Sequence, residues 1–232
     1  MSETASITTI SGDGAFNAYV ARPAAAPKSA IIVLQEIFGV NAGIRRKCDT
    51  WAEEGYLAIA PDLFWRLEPG VELDPDVDSD FQTALGLMGR FNQDAGIRDI
   101  EAAITYARDL TQTGTVGTVG YCLGGRLAFM TAARTDVDAS VGYYAVGVDN
   151  LLRESEAIAN PLMLHIPTED GFVGPAVQQA MHNTLDTHPK VTLHDYEGLD
   201  HGFATEFGKR RSDEAARLAD SRTAAFFEHH LT

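Results

Sequence analysis

The sequence contains few cysteines, no secretion signal and no long apolar segment, and each shortage excludes a class of protein. Two cysteines, Cys48 and Cys122, are too few for a disulfide framework, so a reducing cytoplasm is the expected location. Residues 1–14 are polar, with neither the basic start nor the apolar core of a secretion signal. Apolar runs such as residues 30–34 are far shorter than the ~20 residues that a membrane helix needs, so no membrane partner is expected.

Positive charge is also scarce. The chain has 18 Lys and Arg residues against 33 Asp and Glu residues, which gives a formal net charge of −15. A surface this negative repels phosphate backbones and anionic headgroups, so nucleic-acid partners are not expected. The same field repels an anionic small molecule, and an acidic substrate would therefore need a local cation.

The sequence has no internal repeat and no linker rich in Gly, Ser or Pro. Its 232 residues are 45% hydrophobic, which suits one α/β domain spanning residues 1–232 with a sizeable core. Nothing in the pattern requires an oligomer, and we expect a monomer.

Strands and helices alternate along most of the chain. Residues 7–23 predict an antiparallel hairpin, and residues 66–80 an acidic, solvated loop. The later predicted strands are 29–36, 56–64, 115–121, 139–146, 161–168 and 191–198. The predicted helices are 43–55, 80–91, 94–110 (capped by Asp94), 124–134, 152–158, 175–187 and 211–230. Nearly continuous apolar strands separated by helices predict a doubly wound, mainly parallel sheet, with ligands at the carboxyl ends of its strands.

A cysteine stands where one of these strands turns into a helix. Cys122 lies between Gly120 and Gly124 in "GYCLGG", the Gly-x-nucleophile-x-Gly pattern with cysteine in the usual serine position. Glycines permit the sharp turn that exposes a nucleophile, and the helix N-terminus stabilises an anion. The alternative is a small buried cysteine without a chemical role. A reactive Cys122 would need a base.

Among seven histidines, His201 has the position expected of that base. It lies in the loop "LDHGFAT", between the last predicted strand and the last helix. His165 and His194 lie inside predicted strands, and the remaining histidines lie on helices or near their ends. His201 could alternatively serve only as a loop residue that makes a backbone hydrogen bond.

The third member of such a triad is an acid that orients the histidine. Asp170 follows the predicted strand 161–168 and precedes a turn glycine, which gives the chain order nucleophile, acid, histidine. Glu169 and Asp200 are competitors. We prefer Asp170, because Glu169 suits a solvated position and Asp200 points away from His201 if that loop is extended.

Glu36 ends a buried strand and is expected near Cys122, where a carboxylate can take or share the thiol proton. It could instead cap the loop that follows. The backbone N–H groups of Ile37 and Leu123 are predicted to form an oxyanion hole; losing one such donor typically costs ~10²–10³ in rate.

These features together resemble the dienelactone hydrolases, the carboxymethylenebutenolidase family of the α/β-hydrolase fold. The resemblance covers nearly the whole chain, in the segments "LQEIFGVN", "YLAIAPDLF", "DAGIRDIEAAITYAR", "VGYCLGG", "VGYYAVG" and "DHGF". It implies Cys122 as nucleophile, His201 as base, Asp170 as orienting acid and Glu36 as a switch that keeps the thiol protonated until substrate displaces it. It further implies hydrolysis of 4-carboxymethylenebut-2-en-4-olide to maleylacetate, without a metal or an organic cofactor.

The chain departs from well-known members at the two arginines that hold the substrate carboxylate. Phe81 and Thr205 stand at those positions. Arg126 is either a substitute cation or an arginine at the edge of the core. Phe38, Phe81, Met88 and Phe203 are expected either to line an apolar pocket or to belong to the core.

Three functions therefore remain open from the sequence. The first is a cysteine-dependent hydrolase that acts on dienelactone. The second is a general short-chain or aryl esterase of the same family, with a pocket for neutral substrates. The third is a non-enzymatic redox-sensing protein that uses the Cys122 thiol, for which no nearby resolving cysteine is evident.

Overall fold

The computed structural model describes residues 1–231. They fold into two compact units, Met1–Val116 and Gly117–Leu231. The boundary follows Val116, the first residue of a strand whose other residues belong to the second unit. Among residues 1–231, no helix combines the length and the apolar composition that crossing a bilayer requires.

The first unit contains four strands in the order β1-β2-β4-β3. They are β1 (Ser2–Thr8), β2 (Ala15–Ala21), β3 (Ala30–Leu34) and β4 (Leu57–Pro61). The β1–β2 and β2–β4 pairs are antiparallel and the β3–β4 pair is parallel. Every residue of β3 and β4 is buried, as expected for parallel strands covered on both faces.

Three helices complete the first unit. They are α1 (Ala42–Glu53), α2 (Asp78–Arg90) and α3 (Gln93–Arg108). The α3 cap is Asn92, whose side chain accepts a hydrogen bond from the N–H of Ala95 at 3.0 Å. The prediction of Asp94 as this cap was wrong: both residue types cap well, and the cap lies two residues earlier, at Asn92.

The second unit contains four parallel strands in the order β5-β6-β7-β8. They are β5 (Val116–Tyr121), β6 (Ala139–Tyr143), β7 (Leu162–Pro167) and β8 (Val191–Tyr196). The helices are α4 (Leu123–Arg134), α5 (Pro175–Leu185) and α6 (Asp213–His230), with a 3₁₀ helix over Val148–Ala157. That 3₁₀ helix starts before the predicted helix at 152–158 and is wound more tightly.

Helices cover both faces of this parallel sheet. At Gly142 of β6, a side chain would meet Gly125 of α4. The next residue, Tyr143, donates a hydrogen bond to Asp220 of α6 at 3.0 Å. Because successive strand residues point to opposite faces, α4 and α6 lie on opposite sides of β6. The predicted α/β class, with its mainly parallel sheet and N-terminal antiparallel hairpin, is confirmed.

Candidate active site

The turn after β5 holds Cys122 in a backbone conformation that favours glycine. Its φ is 56° and its ψ is −112°. Its N–H donates to the carbonyl of Tyr143 on β6 at 3.0 Å, which ties the turn to the sheet. A methyl group at Gly120 would overlap the carbonyl oxygen of Gly124, so the turn requires glycine there. Strain of this kind, held by neighbouring structure, is typical of functional sites.

Helix α4 begins immediately after this turn. The N–H of Arg126 donates to the carbonyl of Cys122 at 3.1 Å, which is the first intrahelical bond. The N–H groups of residues 123–125 precede that bond and have no partner within the helix. The first turn contains no acidic residue. The Leu123 N–H is therefore placed to stabilise an anion that forms near the sulfur.

His201 and Asp170 form a buried hydrogen-bonded pair at the carboxyl ends of β8 and β7. The His201 Nδ1 lies 2.9 Å and 3.1 Å from the two carboxylate oxygens of Asp170. The side chains are 8% and 0% exposed. Asp170 Oδ1 also accepts hydrogen bonds from the N–H groups of Phe172 at 2.7 Å and Val173 at 3.1 Å. These donors stabilise the charged carboxylate in its buried position.

The two competing carboxylates have other positions. Asp200 Oδ1 accepts hydrogen bonds from the N–H groups of Gly171 at 2.9 Å and His201 at 2.6 Å. It thereby joins the loop that carries the acid to the loop that carries the histidine. Glu169 is exposed. Asp170 is thus the carboxylate that contacts the imidazole.

The imidazole also makes a hydrogen bond with the Cys122 thiol. Because Asp170 occupies Nδ1, the nitrogen available to the sulfur is Nε2. Burial disfavours the imidazolium, but the hydrogen bonds to Asp170 and Cys122 outweigh it and raise the pKa of His201 to about 10. A protonated imidazole beside a sulfur atom is the charge pattern that stabilises a thiolate. The second unit thus brings together Cys122, Asp170 and His201.

Two aromatic rings enclose the His201 ring. Tyr144 and Phe172 each pack edge-on against it, with ring centroids 4.8 Å away. Tyr144 is 1% exposed and has a φ of 39°, whereas Phe172 is 52% exposed. The sequence analysis missed both residues. For Phe172 the available signal was its position two residues after Asp170; for Tyr144, whose positive φ leaves no mark in the sequence, there was none.

The first unit holds the other predicted site residues. Glu36 is 9% exposed and follows β3 by two residues, and Ile37 is 5% exposed. The Phe38 and Phe81 rings lie 6.1 Å apart, so these two predicted pocket residues contact one another. Met88 lies half-buried on α2.

The two predicted pocket residues of the second unit contact other parts of the structure. Phe203 is 1% exposed and packs between Tyr196 and Tyr144, so it supports the site from the core and offers almost no surface to a ligand. The guanidinium of Arg126 packs beside Gly147, and its buried Nε makes no hydrogen bond to the described residues. Burial lowers the pKa of Arg126, while the Asp149 carboxylate opposes that shift.

The histidines inside β7 and β8, His165 and His194, stack on each other, and His165 belongs to a hydrogen-bond network separate from that of His201. His165 is 1% exposed, with its ring nitrogens 2.7 Å from the Tyr196 hydroxyl and 3.0 Å from the Thr223 hydroxyl. Burial, reinforced by the charges of His194 and Arg222, keeps the pKa of His165 well below its usual range. Within residues 1–231, no three His, Cys, Asp or Glu side chains are grouped to hold a metal ion.

Comparison with known proteins identifies the relatives of this chain. Residues 16–231 match the dienelactone hydrolase family. The chain is 40% identical over 225 residues to a carboxymethylenebutenolidase of Pseudomonas putida, covering 96% of this chain and 95% of the relative. It is 42% identical over 220 residues to a candidate carboxymethylenebutenolidase of Azospirillum brasilense, covering 94% and 95%. The chain belongs to the dienelactone hydrolase family.

Solved structures agree with this assignment. A candidate dienelactone hydrolase from Klebsiella pneumoniae superposes with a TM-score of 0.84 at 27% identity, covering 98% of this chain and 99% of that one. A dienelactone hydrolase-like promiscuous phosphotriesterase, P91, shares the fold with a TM-score of 0.79 at 15% identity, covering 99% and 98%. The resemblance inferred from sequence is confirmed, and this dienelactone hydrolase family member is a hydrolase of esters or lactones.

Proposed function

We propose that this enzyme hydrolyses carboxylic esters and lactones through a thioacyl-enzyme formed on Cys122. The observation that carries the proposal is the hydrogen-bonded series from Asp170 through His201 to the Cys122 thiol. An ordinary cysteine thiol is only a few per cent ionised near neutral pH, so it benefits from a neighbouring base. His201 takes the thiol proton at Nε2, and Asp170 stabilises the resulting imidazolium.

In the acylation step, the thiolate attacks the substrate carbonyl and a C–S bond forms. The carbonyl oxygen becomes an oxyanion, to which the N–H groups of Leu123 and Ile37 donate hydrogen bonds. The tetrahedral intermediate collapses, the C–O bond breaks, and the leaving oxygen receives the proton from His201. In a lactone the leaving oxygen stays attached to the acyl group, so ring opening gives a single acyl chain on sulfur.

Deacylation repeats these steps with water. His201 removes a proton from water as the hydroxyl attacks the thioester carbonyl. The C–S bond then breaks, and the sulfur leaves as thiolate beside the imidazolium. The products are a carboxylic acid and the alcohol, or an enol that tautomerises to a ketone. The enzyme returns to its starting charge state.

Glu36 is proposed to control the resting thiol. It is buried two residues after β3, as a carboxylate that shares a proton would be. In the absence of substrate it keeps the Cys122 thiol protonated; substrate displaces Glu36, and the thiol proton then passes to His201. A thiolate would then form only when there is an ester to attack, which would protect the sulfur from oxidation.

The proposed substrate is 4-carboxymethylenebut-2-en-4-olide, which yields maleylacetate. The names of the relatives from Pseudomonas putida and Cupriavidus pinatubonensis support this choice. A general short-chain or aryl esterase is the second candidate. It is favoured by Phe81 and Thr205 at the positions where the resemblance expects arginines, and by the apolar contact between Phe38 and Phe81. We further propose a monomeric enzyme in a reducing compartment, consistent with its two free cysteines.

The test compares wild-type protein with Cys122→Ala and Cys48→Ala on dienelactone and on phenyl acetate. Cys48 is the matched control, because it is also buried and its pKa is raised by burial rather than coupled to a base. We expect Cys122→Ala to lose turnover of both substrates and Cys48→Ala to keep it. A strong preference for phenyl acetate would select the esterase. Retained activity in Cys122→Ala would refute the thioacyl mechanism.

A further inference from the structure

An exposed aromatic ring covers the outer side of the catalytic histidine. The Phe172 ring packs edge-on against His201 at 4.8 Å and is 52% exposed. Its backbone N–H donates to Asp170 at 2.7 Å, so the backbone that carries the ring is held beside the acid. A large apolar side chain exposed beside a reacting group offers contact area to a ligand. Packing alone gives no reason for this exposure.

A guanidinium lies over the same ring. The Arg210 Cζ is 5.7 Å from the Phe172 ring centroid. Its Nη1 donates to the carbonyl of His201 and to the Asp200 carboxylate, both at 3.4 Å. Its Nε and Nη2 groups make no hydrogen bond within the described part of the chain, and the side chain is 47% exposed. Arg210 therefore retains donors in the paired geometry that a carboxylate accepts.

The positive charge of Arg210 opposes the repulsion that this acidic protein exerts on an anionic substrate. The net charge of −15 repels an approaching anion, whereas a charge within one Debye length of the site, about 8–10 Å, opposes that repulsion. Asp200 offsets part of the Arg210 charge, but its Oδ1 is engaged by two backbone N–H groups. The long, single contact at Oδ2 leaves the guanidinium able to bind a second carboxylate.

We propose that Phe172 and Arg210 form a recognition rim for planar, conjugated esters or lactones that carry a carboxylate. Phe172 contacts the unsaturated part of the acyl group, and Arg210 pairs with the carboxylate. The inference rests on the proposed hydrolysis at Cys122 and names two residues beside that site that select such a substrate. It assigns recognition to residues that lie beside His201, in place of the arginines absent at positions 81 and 205.

The test uses three substrates that share one leaving group: phenyl butyrate, monophenyl succinate and monophenyl fumarate. They are respectively neutral, anionic, and anionic with a conjugated acyl group. We expect Arg210→Gln to lower kcat/KM for the two acids by about fivefold relative to the butyrate, as loss of one half-exposed ion pair allows. Arg217→Gln is the control, because Arg217 is an exposed arginine on α6 with the same charge.

A second variant tests the ring. Phe172→Leu keeps an apolar side chain, and we expect it to lower the fumarate-to-succinate ratio of kcat/KM. If Arg210→Gln slows all three substrates equally, or Arg217→Gln matches its effect, the proposal is overturned while hydrolysis at Cys122 stands. If wild-type protein releases phenol from none of the three, the recognition rim is overturned; if it also leaves dienelactone intact, the proposed function fails as well.

Discussion

Replacing Asp170 by asparagine removes one charge from the site while preserving the shape of the side chain. In the native structure Oδ1 accepts two backbone N–H groups, at 2.7 Å and 3.1 Å, and Oδ2 faces the Nδ1 of His201 at 2.9 Å. An asparagine keeps its oxygen on the two backbone donors. Its NH₂ group must then face Nδ1, where it can only donate.

That orientation reverses the tautomer of the imidazole. Nδ1 becomes an acceptor and the proton moves to Nε2, which can then no longer take the thiol proton of Cys122. The charge that stabilises the imidazolium is also lost. We expect kcat to fall about 10⁴-fold, or about 5.5 kcal/mol, because a wrong tautomer of this kind costs that much in hydrolytic triads. The pKa of His201 should fall below its native value of about 10.

Phenol release from phenyl acetate gives the rate, and an NMR titration of His201 gives the pKa. Glu169→Gln is the matched control, because it removes the same charge one residue earlier from an exposed side chain. Asp170→Asn within tenfold of wild type would refute the reasoning. An equal loss in Glu169→Gln would refute it too, since the effect would then follow net charge rather than the hydrogen bond to the imidazole.

Three further perturbations test other parts of the account. Gly120→Ala should destabilise the fold by about 3 kcal/mol or more in urea denaturation, because the added methyl group overlaps a backbone carbonyl. The control is Gly86→Ala, in open space on α2, which should stabilise the fold by about 0.5–1 kcal/mol. Because the pKa of His165 is lowered in the folded protein, below pH 6.5 only the unfolded chain protonates this histidine, and the free energy of unfolding should fall as pH drops. His165→Gln should reduce the slope of unfolding free energy against pH by about 1.4 kcal/mol per pH unit. An unchanged slope would contradict the lowered pKa of His165. The raised pKa of His201 affects a different pH range. The stabilisation that it contributes is complete below pH 6.5 and is lost as pH rises toward about 10. Glu36→Ala should raise the rate at which iodoacetamide alkylates Cys122 severalfold, and an unchanged rate would count against the switch.

Most of the fold was predictable because its buried strands and its strand-to-helix turn have recognisable sequence patterns. Apolar runs with little alternation marked β3 to β7, and the pattern around Cys122 marked the turn from strand to helix. Chain order then placed an acid after β7 and a histidine after β8, since the carboxyl ends of parallel strands lie along one edge of a sheet. The choice of Asp170 over its neighbours used local arguments: Glu169 suits a solvated position, and Asp200 points away from His201 in an extended loop.

Other features were beyond sequence reasoning because they depend on contacts between distant segments. The strained backbone of Tyr144 and the packing of Phe172 on His201 arise only when three strand ends meet. Phe203 follows the histidine in sequence as a pocket residue would, yet it packs into the core. Asn92 and Asp94 lie two residues apart and both residue types cap helices well, so composition does not determine which of them is the cap.

The most direct test of the central claim is the mass of the enzyme during turnover. Protein mixed with phenyl butyrate and quenched in acid within the first turnover should carry one butyryl group, and peptide mapping should place it on Cys122. Absence of any adduct during active turnover, or a butyryl group on another residue, would contradict a thioacyl-enzyme at this site.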